Sequence, residues 1–130
     1  MSIQYKMIER GSHLGNPEEK EIRFYPQIVR RETIGIEQLA SDVAGGRTRN
    51  SIEVETTIRL ILNQIEEYLL AGNNVCFKGF GTFALTAACH EVTDPSQIRA
   101  ESISVKRVTF TPSSPLRKRM KAAKFEKAKL

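Results

Sequence analysis

The chain has few of the residues that metal centres and disulfide frameworks need. It contains no tryptophan, two cysteines and two histidines among its 130 residues. Cys76 and Cys89 lie too far apart for a CxxC ligand pair, so we predict no zinc site, and no pattern predicts another metal or a cofactor. Cys76 lies in an apolar run, and we expect it to be a small buried hydrophobe.

Long hydrophobic runs are also missing. No run approaches the roughly 20 apolar residues that span a bilayer, and the N-terminus lacks the apolar core of a signal peptide. We therefore expect a cytoplasmic protein without membrane contact. The length favours one domain, and a composition of 40% hydrophobic and 27% charged residues is typical of a soluble globular chain.

Catalytic patterns are absent as well. Ser113-Ser114 has no nucleophile elbow and no His or Asp partner in a recognisable motif. The isolated His13 and His90 favour solvation over catalysis. No phosphate-binding loop or dinucleotide fingerprint occurs. We expect neither an enzyme nor a small-molecule substrate.

Positive charge is concentrated at the C-terminal end. From Arg99 onward there are ten Lys and Arg against two acids, a net charge of +8, whereas residues 1–98 carry a net charge of −3. Segregated positive charge is typical of nucleic-acid-binding proteins. A solubilising tail would show the same distribution.

The first 33 residues predict a β-hairpin ahead of the main fold. Residues 3–9 and 21–30 are strand-like, and Gly15-Asn16-Pro17 between them supplies turn chemistry. Pro26 predicts an edge position or a bulge for the second run, because proline cannot donate to a sheet ladder.

Two helices are predicted next. The first has Thr33 as its N-cap and ends at Gly45-Gly46. The second has Asn50 and Glu53 at capping-box spacing and ends at Gly72. Its apolar residues extend beyond one helical stripe, which indicates contact with more than its own chain's core and so predicts a dimer.

A glycine-rich motif, Gly79-Phe80-Gly81-Thr82-Phe83, follows the second helix. We expect its glycines to permit a bend or a bulge inside a strand that runs over residues 75–89. The return strand covers residues 103–110. The phenylalanines of this region favour core packing over stacking on bases: they are Phe77, Phe80, Phe83 and Phe110.

A basic helix is predicted at the C-terminal end. Ser114 suits its N-cap and Pro115 its first position. An apolar line of Leu116, Met120 and Ala123 extends the helix to about Lys127. The rest of its surface is cationic.

This order of elements, from about Ile34 to Lys124, resembles the HU/IHF family of bacterial histone-like DNA-binding proteins. The resemblance is carried by the motif at residues 79–83 after the second helix and by Phe110-Thr111-Pro112 before the last one. It covers roughly 70% of the chain. Residues 1–33 have no counterpart in ordinary members and resemble an N-terminally extended histone-like variant.

The resemblance implies an α+β fold in which two chains intertwine as a homodimer or heterodimer. A helical base would support a β-sheet saddle, and β-arms, short in this chain, would reach around the DNA minor groove. We divide the chain into an N-terminal hairpin extension, 1–33, and one compact HU-like DNA-binding unit, 34–130. We expect a homodimer that binds double-stranded DNA.

The predicted arm departs from the family pattern. Family arms carry an Arg-Asn-Pro tip, whereas this chain has Thr93-Asp94-Pro95-Ser96, and between Phe83 and Phe110 its basic and acidic residues cancel. Pro95 can act as a wedge between base pairs or as a turn proline. The turn is favoured, because Asp94 would face phosphate across the groove.

The candidate DNA-binding residues lie on the arm, the return strand and the last helix. Cations near a helix N-terminus oppose the helix dipole, which suggests placement for a ligand such as phosphate. Lys106 and Arg107 are adjacent on a strand, so at most one of them should face DNA. The full set is Pro95, Arg99, Lys106, Arg107, Arg117, Lys118, Arg119 and Lys121.

These patterns favour sequence-nonspecific architectural DNA binding by a nucleoid-associated protein. The alternative is an HU-fold dimeric structural or protein-interaction module with weak or no DNA bending. The neutral arm and the added hairpin favour this alternative. RNA binding shares the charge pattern and stays open.

Overall fold

The computed structural model describes residues 1–13, 20–89, 91 and 93–129, except for the side chains at positions 12, 13, 20 and 21. The chain forms two compact units, residues 34–118 and residues 1–33 with 119–130. None of the described helices is long and apolar enough to cross a membrane. In chain order the elements are β1 (Ser2–His13), β2 (Lys20–Ile28), α1 (Ile36–Val43), α2 (Thr48–Leu70), β3 (Val75–Phe77), β4 (Gly81–Ala88), β5 (Ser104–Pro112), α3 (Ser114–Lys121) and β6 (Lys124–Lys127).

The unit that contains the N-terminus is built on the predicted hairpin. β1 and β2 pair antiparallel from Tyr5 opposite Ile28 to His13 opposite Lys20. The predicted turn at Gly15-Asn16-Pro17 lies outside the described residues. β2 is an edge strand in the sheet order β2-β1-β6, which confirms the edge position predicted from Pro26.

The last helix is shorter than predicted. α3 ends at Lys121, and residues 124–127 form β6, which pairs in parallel with β1 from Ser2 opposite Lys124 to Tyr5 opposite Lys127. Residues 124–127 therefore belong to the sheet of the hairpin strands. Pairing with a distant strand overrides the local helical pattern, because a short helix is only marginally stable without tertiary packing.

The two helices of the second unit are where the sequence predicts them, and their C-terminal ends are confirmed. α1 is followed by Gly45 and Gly46, with φ of 66° and 82°, and α2 by Gly72 with φ of 90°. After α2, the N–H groups of Gly72 and Asn73 donate to the carbonyls of Leu69 and Tyr68, at 3.0 and 2.9 Å. This is the Schellman pattern, which requires a left-handed residue.

The N-terminal caps differ from the predictions. The N-cap of α1 is Gly35 and not Thr33, and the N-cap of α2 is Arg47 and not Asn50. Neither cap residue contributes a side-chain hydrogen bond. Asn50 lies inside α2 because the carbonyl of Arg47 already accepts from the N–H of Ser51 at 2.9 Å. A residue whose side chain is suited to cap a helix does not by itself determine where the first helical turn begins.

The glycine-rich motif forms a tight turn between two strands, and not a bend inside one strand. Phe77 pairs with Gly81, and the N–H of Phe80 donates to the carbonyl of Phe77 at 2.9 Å. Gly79, at the third position of this turn, has φ of 82°, a conformation that L side chains rarely adopt. A Cβ at Gly81 would lie 2.5 Å from the ring of Phe110 and 2.7 Å from the carbonyl oxygen of Thr111. The motif therefore allows three strands to pair in the order β3-β4-β5.

The predicted short β-arm is absent from the described part of the segment between β4 and β5. The last pair of the ladder is Ala88 opposite Ser104, and two single-turn 3-10 helices, Pro95–Gln97 and Ala100–Ser102, follow each other in between. The carboxylate of Asp94 accepts from the N–H of Ser96 at 3.0 Å, and the hydroxyl of Ser102 donates to the carbonyl of Arg99 at 2.7 Å. Such local bonds satisfy backbone groups that a strand pair would otherwise use.

The described part of the chain has almost no buried core. Among these residues only Ala40, Leu69 and Gly81 are buried, and no polar or charged residue is. Cys76 is exposed, contrary to the prediction, because its pairing with Thr82 places it on the polar side of the sheet. A chain of 130 residues normally encloses many apolar side chains.

Candidate nucleic-acid interface

The sheet β3-β4-β5 has one apolar and one polar face. Residues directly opposite each other in a ladder share a face, so the pairs Val75–Phe83, Phe83–Phe110 and Leu85–Val108 define the apolar side. The other side carries threonines and one predicted DNA contact, Arg107, which lies opposite Thr86. The threonines of this face are Thr82, Thr86, Thr109 and Thr111. Hydroxyls and a guanidinium are groups that bind phosphate oxygens.

A β-bulge lies next to this arginine. Thr86 pairs with Arg107 but Ala87 pairs with Val105, so Lys106 is the extra residue. The prediction that Lys106 and Arg107 lie on opposite faces rests on strict alternation, and alternation is interrupted here. Bulges redirect side chains and increase strand twist. The bulge lies two residue pairs before the end of the β4–β5 ladder. Beyond that end come the turns and 3-10 helices of residues 93–103, which we call the turn-rich segment.

The phenylalanines on the apolar side pack on one another, as the core interpretation predicts. Ring centroids of Phe83 and Phe110 are 4.9 Å apart, those of Phe80 and Phe110 5.4 Å, and those of Phe77 and Phe83 6.1 Å. Three of the four rings nevertheless stay exposed: Phe77, Phe80 and Phe110. The cluster is packed on one side only.

The start of α3 is fixed to this sheet. The N-cap is Ser113 and not Ser114, because the Ser113 hydroxyl accepts from the N–H of Leu116 at 3.2 Å. Pro115 is accordingly the second helical residue. The N–H of Ser113 donates to the carbonyl of Phe80 at 2.9 Å, so the glycine-rich turn holds the N-terminus of the basic helix.

The cations of α3 are distributed around the helix. Positions three and four apart are neighbours on a helix surface, so Arg117, Lys118 and Lys121 form one cationic side. Arg119 lies on the other side of the line made by Leu116 and Met120. All four cations are exposed, and α3 contains no acidic residue.

The cations of α2 and α3 differ in whether they form ion pairs. On α2, Arg49 lies 3.9 Å from Glu53 and Arg59 lies 2.8 Å from Glu55. No carboxylate in the described part of the chain lies within ion-pair distance of Arg117, Lys118 or Lys121. The cationic side of α3 therefore presents uncompensated charge to solvent.

The remaining predicted residues lie in the turn-rich segment. Pro95 opens the first 3-10 helix, which agrees with the turn interpretation, and Arg99 precedes the second. Hydrogen bonds from the backbone and side chain of Ser96 hold the pKa of the Asp94 carboxyl below its ordinary value of 3.8. Asp94 therefore stays ionised at neutral pH next to Pro95. A DNA contact at Pro95 or Arg99 stays a prediction.

The set of candidate residues is therefore divided among three places. Four residues lie on α3, where Arg117, Lys118 and Lys121 share one side and Arg119 lies apart from them. Lys106 and Arg107 lie on β5, at the bulge and on the polar face. Pro95 and Arg99 lie in the turns. Sequence reasoning missed a further group of cations on the sheet β2-β1-β6: Lys6, Arg10, Arg23 and Lys124. The signal for Lys6, Arg10 and Arg23 is the partial alternation of polar and apolar residues along the predicted hairpin strands. Lys124 lies on β6, where the sequence predicts a helix.

Metal chemistry has no support from these side chains. In the described ranges, no three His, Cys, Asp or Glu residues are grouped so that they could hold a metal ion. Cys76 and Cys89 are both free. The groups that the sheet and α3 offer to a ligand are cations and hydroxyls.

A known protein family has a domain of this kind, in which a pair of helices, a sheet with a glycine-rich turn and a basic helix follow one another. Residues 1–127 match the HU-HIG family, described as an HU domain fused to a wHTH, Ig or glycine-rich motif. The chain belongs to this family of HU-like domains. The match includes the hairpin, so the N-terminal strands are part of the family's domain. No curated protein matches the chain.

A similar fold occurs in a solved structure. The crystal structure of a candidate DNA-binding protein from Bacteroides vulgatus superposes with a TM-score of 0.59 at 15% sequence identity. The superposition covers 97% of the present chain and 47% of the other, so this chain spans about half the length of that relative. At this identity the likeness concerns the fold.

Proposed function

We propose that this chain binds double-stranded DNA without sequence specificity, as a dimeric architectural protein of the HU/IHF histone-like type in the cytoplasmic nucleoid. The observation that carries the proposal is the unpaired cationic side of α3, whereas the much longer helix α2 pairs its arginines Arg49 and Arg59 with carboxylates. Family membership and the description of the Bacteroides vulgatus relative as a candidate DNA-binding protein support it.

The binding mode follows from the chemistry of these groups. Lys and Arg side chains displace counterions that are condensed on the duplex, which gives affinity with little sequence dependence. Arg107 and the hydroxyls of Thr82, Thr86 and Thr111 on the polar sheet face would donate hydrogen bonds to phosphate and sugar oxygens. The described residues offer no recognition helix with an Arg or Asn set to read base edges in the major groove.

The dimer is part of the proposal because one chain leaves too much apolar surface uncovered. On α2, Ile61 and Tyr68 are seven residues apart on one side of the helix and remain 45% and 50% exposed. An obligate dimer would cover this side of α2 and the open phenylalanine cluster.

We also propose that the chain has no catalytic activity. None of the described polar or charged residues is buried. Catalytic acids, bases and nucleophiles usually obtain their shifted pKa values from desolvation together with a specific charge partner. The described side chains do not provide that environment.

Removal of charge from α3 tests the DNA-binding proposal. The variant Arg117→Gln/Lys121→Gln should weaken binding to a mixed-sequence duplex in fluorescence anisotropy. The slope of log K against log salt should become less negative by about 1.8 per protomer, since each lost phosphate contact contributes about 0.9. The control Arg49→Gln/Arg59→Gln removes the same charge from ion-paired positions and should change the slope far less. Equal slopes for the two variants would reject α3 as the binding surface.

A second candidate function is an HU-fold dimeric structural or protein-interaction module with weak or no DNA bending. The turn-rich segment favours it, because two 3-10 helices with an ionised Asp94 replace an extended basic arm. Energy transfer between dyes at the two duplex ends separates the functions. Binding without a change in end-to-end distance would favour the second candidate, and a bend on binding would favour the first.

A further inference from the structure

One side of the sheet β2-β1-β6 is mainly apolar. Strand partners share a face, so alternate residues of β1 and their partners form one side of the sheet. We call the side formed by residues 3, 5, 7, 9 and 11 of β1 and their partners the apolar face of the N-terminal sheet. The pair at positions 13 and 20 continues this side beyond the described side chains.

Much of this apolar face is open to solvent. Its largest exposed side chains, between 45% and 62% accessible, are Met7, Ile22, Phe24, Ile28 and Phe125. They lie on three adjacent strands and so form a contiguous patch. Monomeric proteins rarely expose large patches of this kind, because water disfavours them. The other side of the sheet is mainly polar, with Ile8 and Tyr25 as an apolar pair.

Two opposite charges interrupt the apolar face. Glu9 lies opposite Phe24 on β2, and Lys127 lies opposite Tyr5 on β1. Both side chains are exposed, and neither forms an ion pair within the described part of the chain. Glu9 is four residues along β1 from the position beside Lys127, which is about 14 Å. Each charge therefore needs a partner from outside its own sheet.

We infer that the apolar face of the N-terminal sheet binds the same face of a second copy of this chain. In a two-fold contact each residue meets a different residue of the partner, and the same contact occurs twice. With the axis through Met7 at right angles to β1, Glu9 lies over the partner's Tyr5. The partner's Lys127 is then one strand to the side, about 4.8 Å, and packed sheets are about 10 Å apart, so the two long side chains can meet.

The charges favour this packing over the other two-fold arrangement. With the axis along β1, Glu9 would lie over the partner's Glu9, and like charges at close range are unfavourable. With the axis through Met7, Phe125 lies beside the partner's Gly11, where no atom lies within 4 Å of an added Cβ. A large side chain next to a glycine lets the two faces interdigitate, as stacked sheets do.

The same two charges favour a second copy over a lipid bilayer. An apolar face that entered a bilayer would take Glu9 and Lys127 out of water without an ionic partner, which is costly. A second copy supplies the partner for both. The contact lies in a different compact unit from α2, and the inference does not depend on DNA binding.

Exchange of the two charges tests the contact in the full-length chain. Glu9→Lys and Lys127→Glu each bring like charges together twice in a self-contact. Each should shift the curve of weight-average mass against concentration, measured by sedimentation equilibrium, to about tenfold higher concentration, the scale of two exposed charge pairs. An equimolar mixture of the two variants restores opposite charges at both positions and should return the curve toward that of the wild type.

The matched controls reverse the same charges on the other side of the same sheet. Glu126→Lys and Lys124→Glu change residues opposite Gln4 and Ser2, and both should follow the wild-type curve. Circular dichroism confirms that all four variants are folded. Association of Glu9→Lys and Lys127→Glu equal to that of the controls would show that the face does not bind a second copy. Weakened variants whose mixture does not recover would overturn the pairing of Glu9 with Lys127. Neither result depends on duplex affinity, so this inference and the proposed function can fail separately.

Discussion

Truncation of Ile61 gives a direct measure of the proposed dimer interface. Ile61→Ala removes three carbon groups, each worth about 0.8 kcal/mol when buried. Ile61 is 45% exposed in the chain, so its partner can bury roughly half of this, about 1 kcal/mol per copy. A two-fold dimer contains the contact twice, so the dissociation constant should rise by about 30-fold.

The matched control is Asn63→Ala, on the polar side of the same helix. Asn63 is exposed and lies about 160° around α2 from Ile61. Sedimentation equilibrium over a dilution series measures the dissociation constants of both variants, and circular dichroism checks their helix content. A wild-type chain that stays monomeric at the highest concentration would refute the dimer. Identical dissociation constants for the two variants would show that this side of α2 is not the interface.

Two further predictions concern the sheet and the turn-rich segment. Gly81→Ala should lower the free energy of unfolding by about 1–3 kcal/mol in urea titrations, because its Cβ meets the Thr111 carbonyl as well as the Phe110 ring; Gly11→Ala, with no atom within 4 Å of its Cβ, should be near neutral. A loss no larger than that of Gly11→Ala would contradict the close approach. Asp94→Asn should strengthen duplex binding by about twofold, the scale of one exposed charge interaction. Because the folded pKa lies below 3.8, lowering the pH from 8 to 5 leaves Asp94 ionised and should not reproduce that gain. A pH-dependent gain that disappears in Asp94→Asn would refute this.

The sequence by itself determined the elements that depend on local chemistry. Helical spacing and the glycines after each helix place α1 and α2, since left-handed residues at 45, 46 and 72 are needed to end them. The hairpin strands, the edge position of Pro26 and the packing of the phenylalanines also follow from residue type and spacing. The candidate cations of α3 could be named because they are close neighbours along one helix.

Only the tertiary structure decided the features that depend on distant pairing. Residues 124–127 form a strand because their backbone pairs with that of β1, although the sequence pattern predicts that the last helix continues through them. The division of the sheet cations into faces depends on register, which a shift of one residue would reverse. The bulge at Lys106 likewise exists only because β4 and β5 pair with unequal lengths. Spacing along the chain fixes which residues can be neighbours on one element, and long-range hydrogen bonding fixes which elements meet.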